Sequence, residues 1–209
     1  GQLSWQQLDH PPLFSASLLG NLLSFNAAGT HYQIPFLSYF AKSDFKQQVE
    51  ILWALSHQKS LCDLILRVEK AISSRYLRQS LLEKMRARIE REYFRWFPWS
   101  EGVELPANIR TALIQLHGFY HWNKADIDRL REGYIQSQLL AFADFFDHVE
   151  SQPLTDKQRR ACIIDDDNNL LLAGAGTGKT SVMVGRAGYL LNSGQAQAND
   201  ILLLAYGKK

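Results

Sequence analysis

The apolar positions of the chain change their period along its length. From Leu13 to about Phe40 the apolar runs are short and broken by Gly20-Asn21, Asn26 and Gly29-Thr30, and Pro35 excludes a continuous helix. That pattern predicts two or three strands joined by tight turns. Phe45, Val49, Leu52 and Trp53 then follow the i, i+4, i+7, i+8 spacing of an amphipathic helix that Ser43 can cap. A stronger helical pattern starts at Ser60 and Asp63. It carries Leu61, Ile65, Val68, Ile72, Tyr76, Leu82, Met85, Ile89, Tyr93 and Trp96 up to Pro98, with one step too long around Gln79. A shorter helix is expected near Ile109 to Tyr120. Another runs from Asp126, with Ile127, Leu130, Tyr134, Phe142, Phe145 and Val149 on one face, and ends before Pro153. Two long antiparallel helices and a shorter one make a helical hairpin or small bundle.

After Pro153 the pattern changes again. Thr155 to about Cys162 reads as a short helix, Asn168 to Ala173 as an apolar strand, Lys179 to Leu191 as a helix ended by Ser193-Gly194, and Ile201 to Ala205 as a second apolar strand. Strand, glycine-rich turn, helix and strand predict a βαβ unit with parallel strands and a right-handed crossover. The uninterrupted Leu170-Leu171-Leu172 and Ile201-Leu202-Leu203-Leu204 suit strands covered on both faces.

The 209 residues, 46% hydrophobic and 21% charged, have ordinary globular usage, which excludes a disordered or fibrous chain. A formal net charge of +2 does not by itself call for a nucleic-acid partner. Cys62 and Cys162 lie far apart with no Cys or His at metal spacing, which favours reduced thiols in a core. No apolar run approaches the roughly 20 residues of a spanning helix, and the first residues lack the character of a signal peptide. No membrane association is expected, and the expected location is the cytoplasm. A first residue that is Gly suggests a trimmed chain, and the last residues read like a strand entering a turn, as if the chain stops within a domain.

The strongest chemical signal is Ala173-Gly174-Ala175-Gly176-Thr177-Gly178-Lys179-Thr180. Small residues over 173–178 let the backbone curl so that successive N–H groups face the phosphates of a nucleotide such as ATP, and the following helix adds its positive N-terminal end. Lys179 places a point charge at the β and γ phosphates, and the Thr180 hydroxyl completes a Mg²⁺ shell. Ala173 replaces the first glycine of the strict pattern without touching its phosphate-facing part.

Upstream, Leu154-Thr155-Asp156-Lys157-Gln158 permits two readings. Thr155 and Gln158 have capping-box spacing, or Gln158 uses its amide donor and acceptor on adenine. Gln158, the loop at 173–180 and Leu203-Leu204-Ala205-Tyr206-Gly207-Lys208-Lys209, taken in that order, resemble the superfamily 1 DNA helicases of the Rep and UvrD type. Phe142-Ala143-Asp144-Phe145-Phe146 through Pro153-Leu154-Thr155, and Arg186-Ala187-Gly188-Tyr189-Leu190-Leu191, look like one bacterial branch of that family. Rep-type members begin almost at the glutamine element, whereas here residues 1–150 precede it. Ser181 stands where relatives often carry an Arg beside the base.

The resemblance implies an ATP- and Mg²⁺-dependent 3′ to 5′ motor on single-stranded DNA with a 3′ tail. It further implies nucleotide contacts from Gln158, Ala173 to Thr180 and Ser181, and DNA contacts from Tyr206, Lys208 and Lys209. It places the remaining catalytic carboxylates and Arg finger beyond residue 209. The fold class expected is the start of an α/β P-loop (RecA-like) motor domain over 151–209. A small α+β accessory region over 1–58 and a helical hairpin or bundle over 59–150 precede it. Oligomeric state is left open. The loop alone also fits another P-loop ATPase, and the chain also fits a non-catalytic nucleic-acid-binding or adaptor module. The Gln158 element and the Ala-Gly-Ala-Gly form favour the helicase.

Other features have plainer readings. Asp165-Asp166-Asp167 reads as a solvated acidic turn after a helix end. Between Arg67 and Arg95, nine basic residues accompany four glutamates, an excess that is compatible with phosphate attraction but reads first as a solvated helix face with i, i+4 pairs. Tyr93, Phe94, Trp96, Phe97 and Trp99 lie at core-filling helical spacing. His117 and His121 share a helix face with no third metal ligand nearby.

Overall fold

The computed structural model describes residues 3–17, 20–37, 42–174 and 176–204. The chain divides into two compact units, one comprising Gly1–Lys70 with Glu83–Trp122 and the other Ala71–Leu82 with Asn123–Lys209. The described residues are mostly helical, with one small sheet. None of their helices is long and apolar enough to cross a membrane.

The first unit opens on the expected antiparallel meander, β1 (Leu13–Ser17), β2 (Gly20–Ala27) and β3 (Thr30–Leu37), in the order β1-β2-β3. Leu13 pairs with Ser24 and Leu23 with Ile34. The β2–β3 turn places both Ala28 (φ 50°) and Gly29 (φ 76°) in the left-handed region, the conformation that matches the twist of a two-residue hairpin. Helix α1 (Lys42–Ser74) follows, then α2 (Gln79–Trp96) and α3 (Ala107–Tyr120). The two helices expected over 43–53 and from 60 are one. Ala54 and the buried His57 carry the inward stripe from Trp53 to Leu61, Ile65 and Val68 across the polar stretch that looked like a boundary. Burial holds the His57 imidazole below its ordinary pKa. Trp53 anchors this core. Its indole Nε1 donates to the Leu8 carbonyl at 3.1 Å, and its ring lies 5.0 Å from Trp96 and 5.1 Å from Trp99. Tyr93 stacks on Tyr120 at 3.8 Å, so these aromatics largely fill a core, although Phe94 stays 54% exposed.

The second unit contains α4 (Lys124–Ala141), α5 (Ala143–His148), α6 (Asp156–Ile163) and α7 (Lys179–Asn192). The single helix expected from Asp126 to Pro153 starts earlier, behind an Asn123 cap that accepts from the Asp126 N–H at 3.2 Å. It also breaks at Phe142, whose ring turns into the core 5.2 Å from Tyr189. Phe146, Leu154, Cys162, Ile163, Val182 and Tyr189 form that core. The Tyr189 hydroxyl donates to Gln138 Oε1 at 2.8 Å, and desolvation raises its pKa. Burial pushes the Cys162 thiol up to about 11, so it is an inert core group. Arg160 of α6 donates twice to Glu132 of α4, at 2.8 and 2.6 Å, and holds that carboxyl down at about 2.

Two further expectations are corrected here. The acidic turn is only partly solvated, with Asp165 buried, Asp166 half-buried and Asp167 exposed, and it meets the chain at the long step around Gln79, where α1 gives way to α2. Asp166 accepts from the Gln79 N–H at 2.8 Å and Asp167 from the Ser80 N–H at 2.7 Å, so the aspartates cap the start of α2. Asp165 is buried, accepts from Arg78 Nε at 2.9 Å and pairs with Arg186 at 2.7 Å. The second correction concerns the βαβ unit. Asn168–Ala173 and 201–204 carry no strand and form no ladder among the described residues, and Ala205 lies outside them. Leu170, Leu172, Leu202 and Leu204 are 83%, 85%, 80% and 70% exposed. A parallel strand pair is stable only within a sheet covered on both faces, and among the described residues no strand accompanies these two runs.

Replacing Asp165 by Asn should cost on the order of 2–3 kcal/mol in urea unfolding followed by circular dichroism. That is less than the loss from breaking a fully buried pair, because Arg78 is 48% and Arg186 26% exposed and water takes up part of their charge.

Gly185→Ala tests how closely α7 packs on α6. Alanine favours a helix over glycine by about 1 kcal/mol. A Cβ here would stand 2.8 Å from Leu154 Cδ1 and 3.0 Å from Cys162 Sγ, and overpacking of this kind costs about 1–3 kcal/mol. A net loss is expected in the same assay. Gly133→Ala in α4, where a Cβ meets nothing within 4 Å, should instead gain close to the full helix preference. Equal effects at both sites would refute the packing argument.

Candidate nucleotide-binding loop

Helix α7 opens where it does because Gly178, its N-cap, takes the left-handed conformation at φ 84° and ψ 31°. Gly176 does the same at φ 75°. Non-glycine residues pay roughly 1–2 kcal/mol for that region, which is why glycines stand there. Lys179 and Thr180 thus become the first two residues of the helix, at its positive end. Lys179 Nζ turns back across the loop and donates to the carbonyls of Ala173 at 2.8 Å and Gly174 at 2.9 Å. Thr177 Oγ1 donates to the Gly174 carbonyl at 2.8 Å. Thr180 is exposed and Ser181 half-buried, while Ala175 lies outside the described residues. The segment is neither continuous helix nor strand.

Gln158 joins this loop to α6. Its Oε1 accepts from the Thr155 N–H at 2.8 Å and from Thr155 Oγ1 at 2.9 Å, while its Nε2 donates to the Thr177 carbonyl at 3.3 Å. The capping contact and the link to the loop therefore coexist in one side chain. A pocket of about 410 Å³ lies between them, lined by Thr155, Lys157, Gln158 and the loop, with no acidic residue in its lining. Lys157 is a second cation at this pocket. The sequence reading passed over it because its element was read for Thr155 and Gln158, though it sits next to Gln158 in the same motif.

The remaining candidates separate. Tyr206, Lys208 and Lys209 lie outside the described residues. Of the basic run, Arg78 is paired with Asp165, Arg86 donates to the Trp122 carbonyl at 3.2 Å, and Arg95 lies 3.7 Å from Glu92. Part of the basic excess therefore serves the fold. The rings of His117 and His121 stack at 4.2 Å, and the described residues contain no group of His, Cys, Asp or Glu arranged to hold a metal.

Residues 154–209, the segment holding Gln158, the loop and α7, match the UvrD/REP helicase N-terminal domain. More particularly, the chain is similar to DNA helicase IV of Escherichia coli (strain K12), with 49% identity over 92 residues. This agrees with the bacterial branch suggested by the Phe142–Thr155 and Arg186–Leu191 stretches. The matched stretch is 42% of this chain and 13% of the relative, so the chain spans a small part of that protein's length. No solved structure matches the chain.

Alanine at Gly176 and at Gly178 should each cost about 1–2 kcal/mol of loop order from φ alone. At Gly178 the new Cβ also collides with the Gln158 amide, whereas at Gly176 it meets nothing within 4 Å. Hydrogen exchange at the start of α7 should therefore rise more in Gly178→Ala than in Gly176→Ala. Adding Gln158→Ala should erase the difference, and a difference that persists would show that Gln158 does not brace the loop.

Proposed function

We propose that this chain supplies the start of an ATP-dependent DNA helicase. Residues 151–209 contribute the first part of a RecA-like motor domain, preceded by a small α+β accessory region and a helical region that share helix α1, within which the expected 58/59 boundary falls. The motor moves 3′ to 5′ on single-stranded DNA entered from a 3′ tail, with Tyr206, Lys208 and Lys209 among its DNA contacts, and works in the cytoplasm. The observation that carries the reading is the opening of α7 at left-handed Gly178, with Lys179 and Thr180 at the helix start and Gln158 hydrogen-bonded to the loop.

The donor set fits a magnesium nucleotide. Lys179 exchanges its two carbonyl partners for the β and γ phosphates, and the amides of the first turn of α7 face the same charge. Thr180 offers a hydroxyl to Mg²⁺. Gln158 releases Thr155 and Thr177 to bind adenine with both ends of its amide, and Ser181 stands beside the base. Magnesium ATP supplies the phosphoryl group whose transfer to water drives translocation. That transfer also needs a carboxylate to orient the water, and none lines this pocket.

The 209-residue chain should therefore bind a fluorescent ATP analogue and hydrolyse ATP at no more than background rate. Losing a charge-assisted contact worth about 1.5–3 kcal/mol, Lys179→Ala should weaken binding about 10- to 100-fold. Unchanged affinity in that variant, or turnover abolished by it, would overturn this account of the loop.

A further inference from the structure

The basic run between Arg67 and Arg95 is not uniform. Arg78, Arg86 and Arg95 have partners within the fold, as described above. Arg67 of α1 and Arg88 and Arg91 of α2 are exposed, and none of them has an ion pair among the described residues. All three line one crevice of about 240 Å³ in the first unit, together with Ser60, Asp63 and Glu92. We propose that Arg67, Arg88 and Arg91 form a seat for a backbone phosphate of single-stranded DNA.

Three guanidiniums gathered on two packed helices repel one another, and Arg88 and Arg91 at i, i+3 add a destabilising like-charge pair. An anion in the crevice reverses the sign of that interaction. The acids do not cancel it. Glu92 lines the crevice, but it is 8% exposed and its carboxylate already accepts from Trp96 Nε1 at 3.0 Å and lies 3.7 Å from Arg95. Three cations therefore stand against Asp63 and a Glu92 shared with Arg95, and Ser60 adds a neutral hydroxyl donor. The planar guanidinium fork matches two phosphate oxygens, so arginine rather than lysine suits this contact. The choice of DNA rests on the helicase reading proposed above. The seat belongs to the unit that lacks the nucleotide loop, so the two can be tested apart.

The test measures affinity of the 209-residue chain for a single-stranded deoxyoligonucleotide across salt concentrations. Each phosphate contact contributes about 0.7 to the log–log slope on single strands, so a triple variant Arg67→Ala, Arg88→Ala, Arg91→Ala should flatten it by about 2. Arg88→Gln alone should remove about 0.7 and serves if the triple does not fold. A charge-matched triple elsewhere, Arg110→Ala, Lys124→Ala, Arg129→Ala, should leave the slope unchanged, as should Arg→Lys at the three seat positions. Binding of the ATP analogue should be unaffected by the seat variants. Failure of the wild-type chain to bind the oligonucleotide, an unchanged slope in the seat variants, or an equal loss in the matched triple would overturn the seat. A flattened slope in a chain that binds no ATP analogue would support the seat and reject the nucleotide reading.

Discussion

The second unit depends on one buried carboxylate. Removing Asp165 from water is unfavourable unless cations and donors replace the lost hydration. Here Arg78 and Arg186 do so from two directions. Arg78 immediately precedes α2, and Arg186 lies in the middle of α7. A single group at the end of α6 thus fixes the entry to one helix and the position of another. Asp166 and Asp167 extend the constraint by capping Gln79 and Ser80, whose N–H groups would otherwise lack partners at the helix start.

The loop over residues 173–180 inherits its position from this arrangement. Helix α7 is held by the Arg186 pair, by the glycine contact at Gly185 against Leu154 and Cys162, and by Tyr189 in the core. With the helix fixed, its first turn is fixed, and so are the origins of the Lys179 and Thr180 side chains. Gln158 adds the remaining tie, from the first turn of α6 to the Thr177 carbonyl. Residues on α6 and α7 therefore place the site, and each is anchored by contacts that involve no nucleotide.

What the sequence revealed followed the range of the interactions involved. The hairpin strands, the start of α7 and the cap at Thr155 are set by neighbours a few residues away, and they were legible or nearly so. Contacts between distant segments were not. Three consecutive aspartates read as a solvated turn because nothing near them in sequence shows that Arg78, Gln79 and Ser80 return to meet them. The polar stretch around His57 read as a helix boundary because its burial against Trp53, at a ring distance of 4.0 Å, is a tertiary fact. The apolar runs at 170–172 and 201–204 were read as buried strands from composition, yet composition states a preference for burial without supplying what covers it.

Those two runs also show which side of the loop carries its order. Fully burying a leucine side chain contributes about 1.5–3 kcal/mol, and Leu170, Leu172, Leu202 and Leu204 obtain little of that. The segment leading into the loop gains no ladder hydrogen bonds and almost no packing. The segment leaving it has a helix, a buried glycine contact and a charged anchor. Lys179 bonding back to Ala173 and Gly174 then has a structural sense, because its ammonium draws the weakly held carbonyls toward the well-held helix. If an anion drew Lys179 away, the Ala173 carbonyl would lose the ammonium and the Gly174 carbonyl would keep only Thr177 Oγ1, just as the amides gained a partner. Anion binding would accordingly be coupled to the order of residues 173–174 through this one side chain.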